Sequence, residues 1–283
     1  MSIVINHLTF AYTQGGKPLP PTLKDLTFTI EEGSFLGIIG HTGSGKSTFV
    51  KHLNGLLPCE KGTVVVDGHD LSQKSERRTV RSLVGMVFQY PEYQLFAETV
   101  YEDVAFGPRN MKLDETEIKT CVINAMTMVG LDPERFSARS PFELSGGERR
   151  RAAIAGVLAM RPKYLVLDEP MAGLDPLGRK EILSLLEKLR SGSGCTIIMI
   201  SHSMDDIANH ATKVLVLEQG SVFLYDTPQN VFSKAEDLQR IGLSVPSITK
   251  ICIEMNRRGA AIPTSICTED AFLNWFREGK AHA

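Results

Sequence analysis

The chain lacks any long apolar run: among its 283 residues the longest, Ala152 to Met160, spans nine. That is about half of the 18 or more consecutive apolar residues that a membrane-crossing helix needs. It also lacks a cysteine framework. Cys59, Cys121, Cys195, Cys252 and Cys267 are odd in number, scattered and without a C-x-x-C pair, which argues against a disulfide scaffold or zinc site and reads as reduced, mostly buried thiols. An excess of one charge sign is missing too, with 31 Lys and Arg against 33 Asp and Glu for a formal charge of −2. A polybasic nucleic-acid coat and a disordered acidic tail are thereby excluded. The opening Met1-Ser2-Ile3-Val4-Ile5-Asn6 has neither a basic flank nor an apolar stretch, so no signal peptide is read and a cytoplasmic protein is expected. No internal repeat, low-complexity segment or heptad run is present. What is there, 42% hydrophobic and 23% charged residues, is ordinary globular composition. The length suits one large domain with a small appendage.

Ile3 to Tyr12 and Leu23 to Ile30 alternate apolar and polar residues, the pattern of half-buried antiparallel strands, with Gly15, Gly16, Pro18, Pro20 and Pro21 breaking the chain between them. From Ser34 the pattern changes to short and almost wholly apolar runs: Phe35 to Ile39, Tyr164 to Leu167 and Cys195 to Ile200. Strands buried on both faces read this way, and helical patterns such as Pro176 to Arg190 lie between them, so a parallel sheet covered by helices is expected. Asp114 to Gly130 reads as a helix with capping-box spacing at Asp114 and Glu117 and a glycine stop. At Thr227-Pro228 the character shifts again. Ile248, Ile251, Cys252 and Met255 fall at helical spacing, and Phe272, Leu273, Trp275 and Phe276 form a second stripe. Such a stripe is commonly core, but so small a module has little interior, and a dimer contact is the alternative.

Gly40-His41-Thr42-Gly43-Ser44-Gly45-Lys46-Ser47 fits G-x-x-x-x-G-K-[ST] between an apolar strand and a helical stretch. A triphosphate is densely anionic, and successive backbone N–H groups cradle it only where side chains stay out of the way, the task read here for Gly43 and Gly45. The helix start adds about half a positive charge. Lys46 reaches the β- and γ-phosphates, the Ser47 hydroxyl suits Mg²⁺, and Thr48 shares the first turn. Downstream, Asp168 and Glu169 end an apolar strand. Alternation sends them in different directions, so Asp168 suits a metal shell and Glu169 suits positioning or deprotonating a water. Leu144-Ser145-Gly146-Gly147-Glu148 precedes a helix that begins Arg149-Arg150-Arg151. Ser145 is a good cap and the glycines leave N–H groups open to an anion; the plainer reading is a capped helix with a solvated basic face.

With these residues in place the chain resembles an ATP-binding cassette (ABC) ATPase, in which the L-S-G-G-[QE] segment of one subunit covers ATP on the phosphate loop of the other. The resemblance implies further roles, in order along the chain. Tyr12 resembles the aromatic that stacks on adenine, and Gln89 the glutamine that contacts Mg²⁺ and water and senses the transport partner. Ala172 to Asp175 resembles the D-loop, with Asp175 near the nucleotide, and His202 the histidine on the γ-phosphate. Glu148 stands where Gln is commoner and Met171 where Thr or Ser is frequent; neither puts hydrolysis in doubt. The implied fold is α/β: a P-loop ABC ATPase with an antiparallel β-subdomain, a parallel-sheet core, a helical signature subdomain and a small helical C-terminal module. The boundaries are 1–225 for the nucleotide-binding domain and 226–283 for the module.

Phe88 to Phe96, Thr99-Val100, Asp103 to Pro108, Ile241 to Pro246 and Glu169 to Arg179 narrow the resemblance to the ATPases of energy-coupling factor (ECF) transporters, the last segment to the second of their two types. This implies an ATPase, with ATP and Mg²⁺ as cofactors, that energises uptake of a vitamin or transition-metal ion at the cytoplasmic face of the membrane. The implied partners are a second ATPase subunit, identical or not, a membrane T component and, indirectly, a substrate-binding S component, with no nucleic acid. The apolar residues after Gln89 (Leu95, Phe96, Val100, Val104, Phe106) are the expected docking surface for the T component, with ordinary core the equal alternative for each taken singly. A soluble ABC ATPase acting on nucleic acid or ribosomes is the alternative, and predicts a coiled-coil insertion or tandem cassettes. A P-loop kinase or GTPase would leave Leu144 to Glu148 and Gln89 without a role.

Overall fold

The computed structural model describes residues 1–281, with side chains described through 278. The chain opens with β1 (Ser2–Phe10), the short hairpin β2 (Thr13–Gln14) and β3 (Lys17–Pro18), then β4 (Leu23–Glu31) and β5 (Phe35–Ile39). Next come α1 (Lys46–Leu53), β6 (Val64–Val66), β7 (His69–Asp70), α2 (Lys74–Leu83) and β8 (Val84–Val87). A helical segment follows: α3 (Val100–Asn110), α4 (Glu115–Met128), α5 (Pro133–Phe136) and α6 (Gly146–Leu158). The chain then returns through β9 (Tyr164–Asp168), α7 (Pro176–Ser193), β10 (Thr196–Ile200), α8 (Met204–His210), β11 (Lys213–Glu218) and β12 (Ser221–Asp226). It ends in α9 (Pro228–Phe232), α10 (Ala235–Arg240), α11 (Ser247–Arg257) and α12 (Glu269–Ala281).

Two sheets form the body. One is antiparallel in the order β4-β1-β6-β7. The other runs β12-β11-β5-β10-β9-β8, parallel throughout except for β12. The apolar runs are continuous because each parallel strand feeds two cores. Phe35, Ile39, Leu165, Leu167, Ile197 and Met199 face the helices, and Leu36, Ile38, Tyr164, Val166, Ile198 and Ile200 face the antiparallel sheet. Side chains alternate along a strand, so a strand packed on both faces has no polar position to spare.

The helix expected near Asp114 is α4, and its capping box is formed in both directions between Asp114 and Glu117. The strand expected to reach Tyr12 ends at Phe10, so Tyr12 stands on the loop beyond it. Val231, Phe232, Leu238, Leu243 and Val245 still belong to the main core. A separate small core begins at Ile248, with Cys252, Ile262 and Ile266, against which Phe272 and Trp275 pack. The apolar stripe on α11 is divided: Ile248 and Cys252 are buried, Ile251 and Met255 exposed.

Candidate functional site

Four neighbouring strands, β5, β10, β9 and β8, run in parallel and end on the same side. Carboxyl ends of parallel strands are where α/β folds place ligands, and each of these strands delivers a residue singled out above. The phosphate loop follows β5, His202 follows β10, Asp168 and Glu169 end β9, and Gln89 follows β8.

Within the loop the two glycines differ in function. Gly43 has φ +83° with nothing within 4 Å of where a Cβ would sit, which leaves the approach to its backbone clear. Gly45, with φ +100°, caps α1 where a Cβ would lie 2.8 Å from Leu23 and 3.0 Å from the Thr22 carbonyl. It is required by packing as well as by conformation. The buried Lys46 Nζ donates to the carbonyls of Gly40 (2.7 Å) and His41 (2.9 Å). Ser44 Oγ is buried without a partner, and the His41 ring turns back on the Thr42 carbonyl. Burial pushes the Lys46 ammonium below its usual range against the opposing charges of Glu169 and Asp168. Burial likewise pushes the Asp168 carboxyl up, with the Ser47 hydroxyl acting the other way. Desolvation therefore dominates on both sides of this pair, as in a site whose charges are held ready for a charged ligand.

Glu169 lies in the left-handed region at φ 51°, uncommon for a residue with a Cβ. Neighbouring backbone holds it there: its N–H donates to the Ile200 carbonyl at 3.2 Å, and its carbonyl accepts from Ala172 N–H at 3.2 Å. The carboxylate is gripped at both oxygens, by Gln89 Nε2 on Oε2 (3.0 Å) and by His202 Nε2 within 2.7 Å of Oε1. Gln89, Glu169 and His202 thus meet in one cluster, and Glu169 and His202 line a hollow of about 210 Å³ together with Met171, Ala172 and Ser203. Tyr12 is set by Phe10, edge to face at 4.9 Å, and by its hydroxyl on Thr48 Oγ1 at 3.2 Å. Asp175 caps α7 by accepting from Gly178 N–H.

Ser145 and Glu148 form a reciprocal capping box at the start of α6, so the acid at 148 has a local use. Gly146 and Gly147 have nothing within 4 Å of a Cβ position, and Leu144 is buried in the core, where it anchors the segment. Among the described residues no hydrogen bond joins this segment to Gly40–Thr48 of the same chain.

The expected docking surface needs correction. Val100 and Val104 face inward from α3 and are fully buried in the core. Phe96 and Phe106 are the exposed members, 61% and 50%, and meet edge to face at 5.0 Å. They flank a groove of about 890 Å³ that Leu95, Asn54, Arg78 and Met160 also line. This groove lies away from the phosphate loop. Asp103, unremarked beyond its place in the pattern, is buried beneath it and accepts from the N–H groups of Phe96 (3.2 Å) and Ala97 (3.0 Å). Burial pushes its carboxyl up, against those two N–H groups.

A phosphate loop, a strand-end Asp-Glu pair and a capped glycine pair at a helix start, carried on this sheet, belong to nucleotide-hydrolysing cassettes. The ABC transporter family model matches residues 23–172, and the chain belongs to that family of ATP-binding ATPases. Within the family it sits among the energy-coupling factor ATP-binding proteins: it is 49% identical over 269 residues to EcfA2 of Caldanaerobacter subterraneus subsp. tengcongensis, covering 95% of this chain and 94% of that one. EcfA2 of Symbiobacterium thermophilum is 50% identical over 271 residues, covering 95% and 93%. Among solved structures, cbiO1 of Clostridium perfringens, part of the ABC transporter complex cbiONQ, matches with TM-score 0.73 and 36% identity over 90% of this chain and 98% of that one. A dimeric ATP-binding cassette in a post-hydrolysis state, bound to ADP and Pi, matches with TM-score 0.70 and 28% identity over 80% and 98%.

Proposed function

We propose that the chain is the ATP-hydrolysing subunit of an ECF-type importer, driving uptake of a vitamin or transition-metal ion. The observation that carries this is the Gln89–Glu169–His202 cluster beside the phosphate loop, together with a signature segment that stands open and unbonded to its own loop. ATP lies on Tyr12, the Gly40–Ser47 loop and Thr48, its γ-phosphate toward His202, with Asp175 nearby. The Ser47 hydroxyl, the Asp168 carboxylate and the Gln89 carboxamide would hold Mg²⁺, which would offset charge on the ATP phosphates. Among the described residues no group of three or more His, Cys, Asp or Glu forms a metal cage; Mg²⁺ bound through one carboxylate and substrate phosphates needs none.

Glu169 positions and deprotonates the attacking water, work typically worth about 10²–10⁴-fold. The second cassette, a copy or a homologue, contributes Leu144 to Glu148 over the γ-phosphate, so a site is complete only in the pair. ATP drives closure because it binds the closed pair better than the open one. No helix of the described residues is long and apolar enough to cross a membrane. The chain reaches the cytoplasmic face through a membrane T component seated in the groove at Phe96 and Phe106, and the S component indirectly. The small C-terminal core that begins at Ile248 belongs to a module that helps hold the pair, with Ile251 and Met255 exposed on α11. Mass spectrometry of the detergent-solubilised complex tests the reading. Recovery with a second cassette and membrane subunits is expected, and a soluble, nucleic-acid-bound species would contradict it.

A further inference from the structure

The run Arg149-Arg150-Arg151 has the look of a solvated basic face, yet Arg150 is only 5% exposed. Its guanidinium forks onto Glu92, Nε to Oε2 at 3.2 Å and Nη2 to Oε1 at 3.0 Å, and Nη1 donates to the Ala172 carbonyl at 2.5 Å. These contacts join three segments that each carry a residue of the nucleotide site. Arg150 is on α6, the helix that Ser145 caps. Glu92 is in the one-turn 3₁₀ helix Pro91–Gln94, three residues after Gln89. Ala172 closes the turn on Glu169, three residues before it. Since Gln89 itself donates to Glu169, the contacts close a ring: Arg150 to Glu92, along the chain to Gln89, across to Glu169, along the chain to Ala172, and back to Arg150.

Resting on the shared-site reading above, the geometry points to Arg150 as a positioning residue that links the two nucleotide sites of the pair. Its helix carries Ser145 toward the partner's ATP, while its side chain fixes Gln89 and Glu169 at the site of its own chain. A planar fork that satisfies two carboxylate oxygens and a carbonyl at once transmits a shift of α6 stiffly. A lysine at the same place is a point charge on a flexible stem and cannot hold all three acceptors. Loss of Glu92 also leaves the buried Arg150 charge without its ion pair.

The test uses the full chain in its ATPase pair, as wild type, Arg150→Lys, Glu92→Gln and the double variant. Three quantities are read: turnover with its Hill coefficient in ATP, ATP affinity without Mg²⁺, and melting temperature. Displacement of a catalytic geometry by about 1 Å costs on the order of 10² in rate, so kcat is expected to fall about 10²-fold in Arg150→Lys. ATP affinity should stay within about threefold, since Lys46 and Tyr12 are untouched. The Hill coefficient should drop toward about 1, and the double variant should be no worse than the worse single one. Unchanged kcat and Hill coefficient would overturn the inference. So would a loss of affinity and melting temperature in parallel with kcat, which marks a purely structural role. Where Arg150→Lys does not fold, Glu92→Gln alone decides, because it keeps the guanidinium on Ala172. A wild-type Hill coefficient of about 1 would overturn the link between the two sites, and the kcat-against-affinity split would then judge the positioning of Gln89 and Glu169 separately. Loss of nucleotide trapping only at the phosphate loop of a Ser145→Arg chain itself would overturn the shared-site reading.

Discussion

The nucleotide end of the parallel sheet and the groove beside α3 are made of opposite materials. At the sheet end polar groups from four strands converge and hold one another: Glu169 between Gln89 and His202, Lys46 on the carbonyls of its own loop. In the groove the exposed aromatic pair Phe96 and Phe106 stands beside Leu56, Met111, Arg78 and Arg81, and the buried Asp103 carboxylate serves the backbone of the segment that carries Phe96. A site that must stabilise developing charge needs fixed dipoles before the substrate arrives. A surface that takes up a partner's helix needs apolar area with a few polar groups to set its shape. The segment from Gln89 to Phe96 joins the two regions, and on the proposed reading it is where chemistry and docking communicate.

The sharpest way to separate the two regions is Glu169→Gln. Hydrolysis should fall by about 10²–10⁴-fold while ATP is still bound and the closed pair accumulates; near-normal turnover would remove Glu169 from its assigned role. Phe96→Asp works at the other region. A charge on an exposed docking anchor should cost the membrane partner about tenfold or more in affinity and leave ATP binding by the isolated chain unchanged; pull-down and nucleotide titration measure the two arms. Between them in size, Asp103→Ala strips two part-buried N–H groups of their charged acceptor, at a cost of about 1–3 kcal/mol in chemical denaturation. If Asp103 merely filled space, the isosteric Asp103→Asn would match the native chain, whereas an acceptor role predicts only partial recovery, because one of the two accepting oxygens is replaced by an amide. Smallest is Arg109→Ala, which breaks the exposed pair with Glu102 on α3; a change below about 0.5 kcal/mol is expected, and a larger one would mean that the rim of the groove is stiffer than its exposure implies.

What was legible in the sequence follows the same division. Gly40 to Ser47 and the Asp168-Glu169 pair could be read because local chemistry dictates them: a phosphate cradle needs glycine, lysine and a hydroxyl at fixed spacing, whatever surrounds it. The buried parallel strands were legible for a similar reason, since alternation onto two cores leaves no polar residue between Phe35 and Ile39. Contacts made across the fold were not legible. Val100 and Val104 look as available as Phe96 and Phe106 until α3 is seen to turn the valines inward. Arg150 looks like its neighbours Arg149 and Arg151, and only the folded chain brings it to Glu92, 58 residues away. Nor does anything in Asp-Glu-Pro announce that Glu169 sits at positive φ, because backbone bonds to β10 and Ala172 impose it.

The central claim is that Ser145 of this chain completes the ATP site of the cassette with which it pairs. Give the Ser145→Arg chain one affinity tag and the other cassette a second, purify the doubly tagged pairs, and trap a photoreactive ATP analogue with vanadate. Each label reports the subunit whose phosphate loop holds the nucleotide. The account predicts that label is lost from the other cassette and kept on the Ser145→Arg chain. Label lost from the Ser145→Arg chain and kept on the other cassette would contradict it.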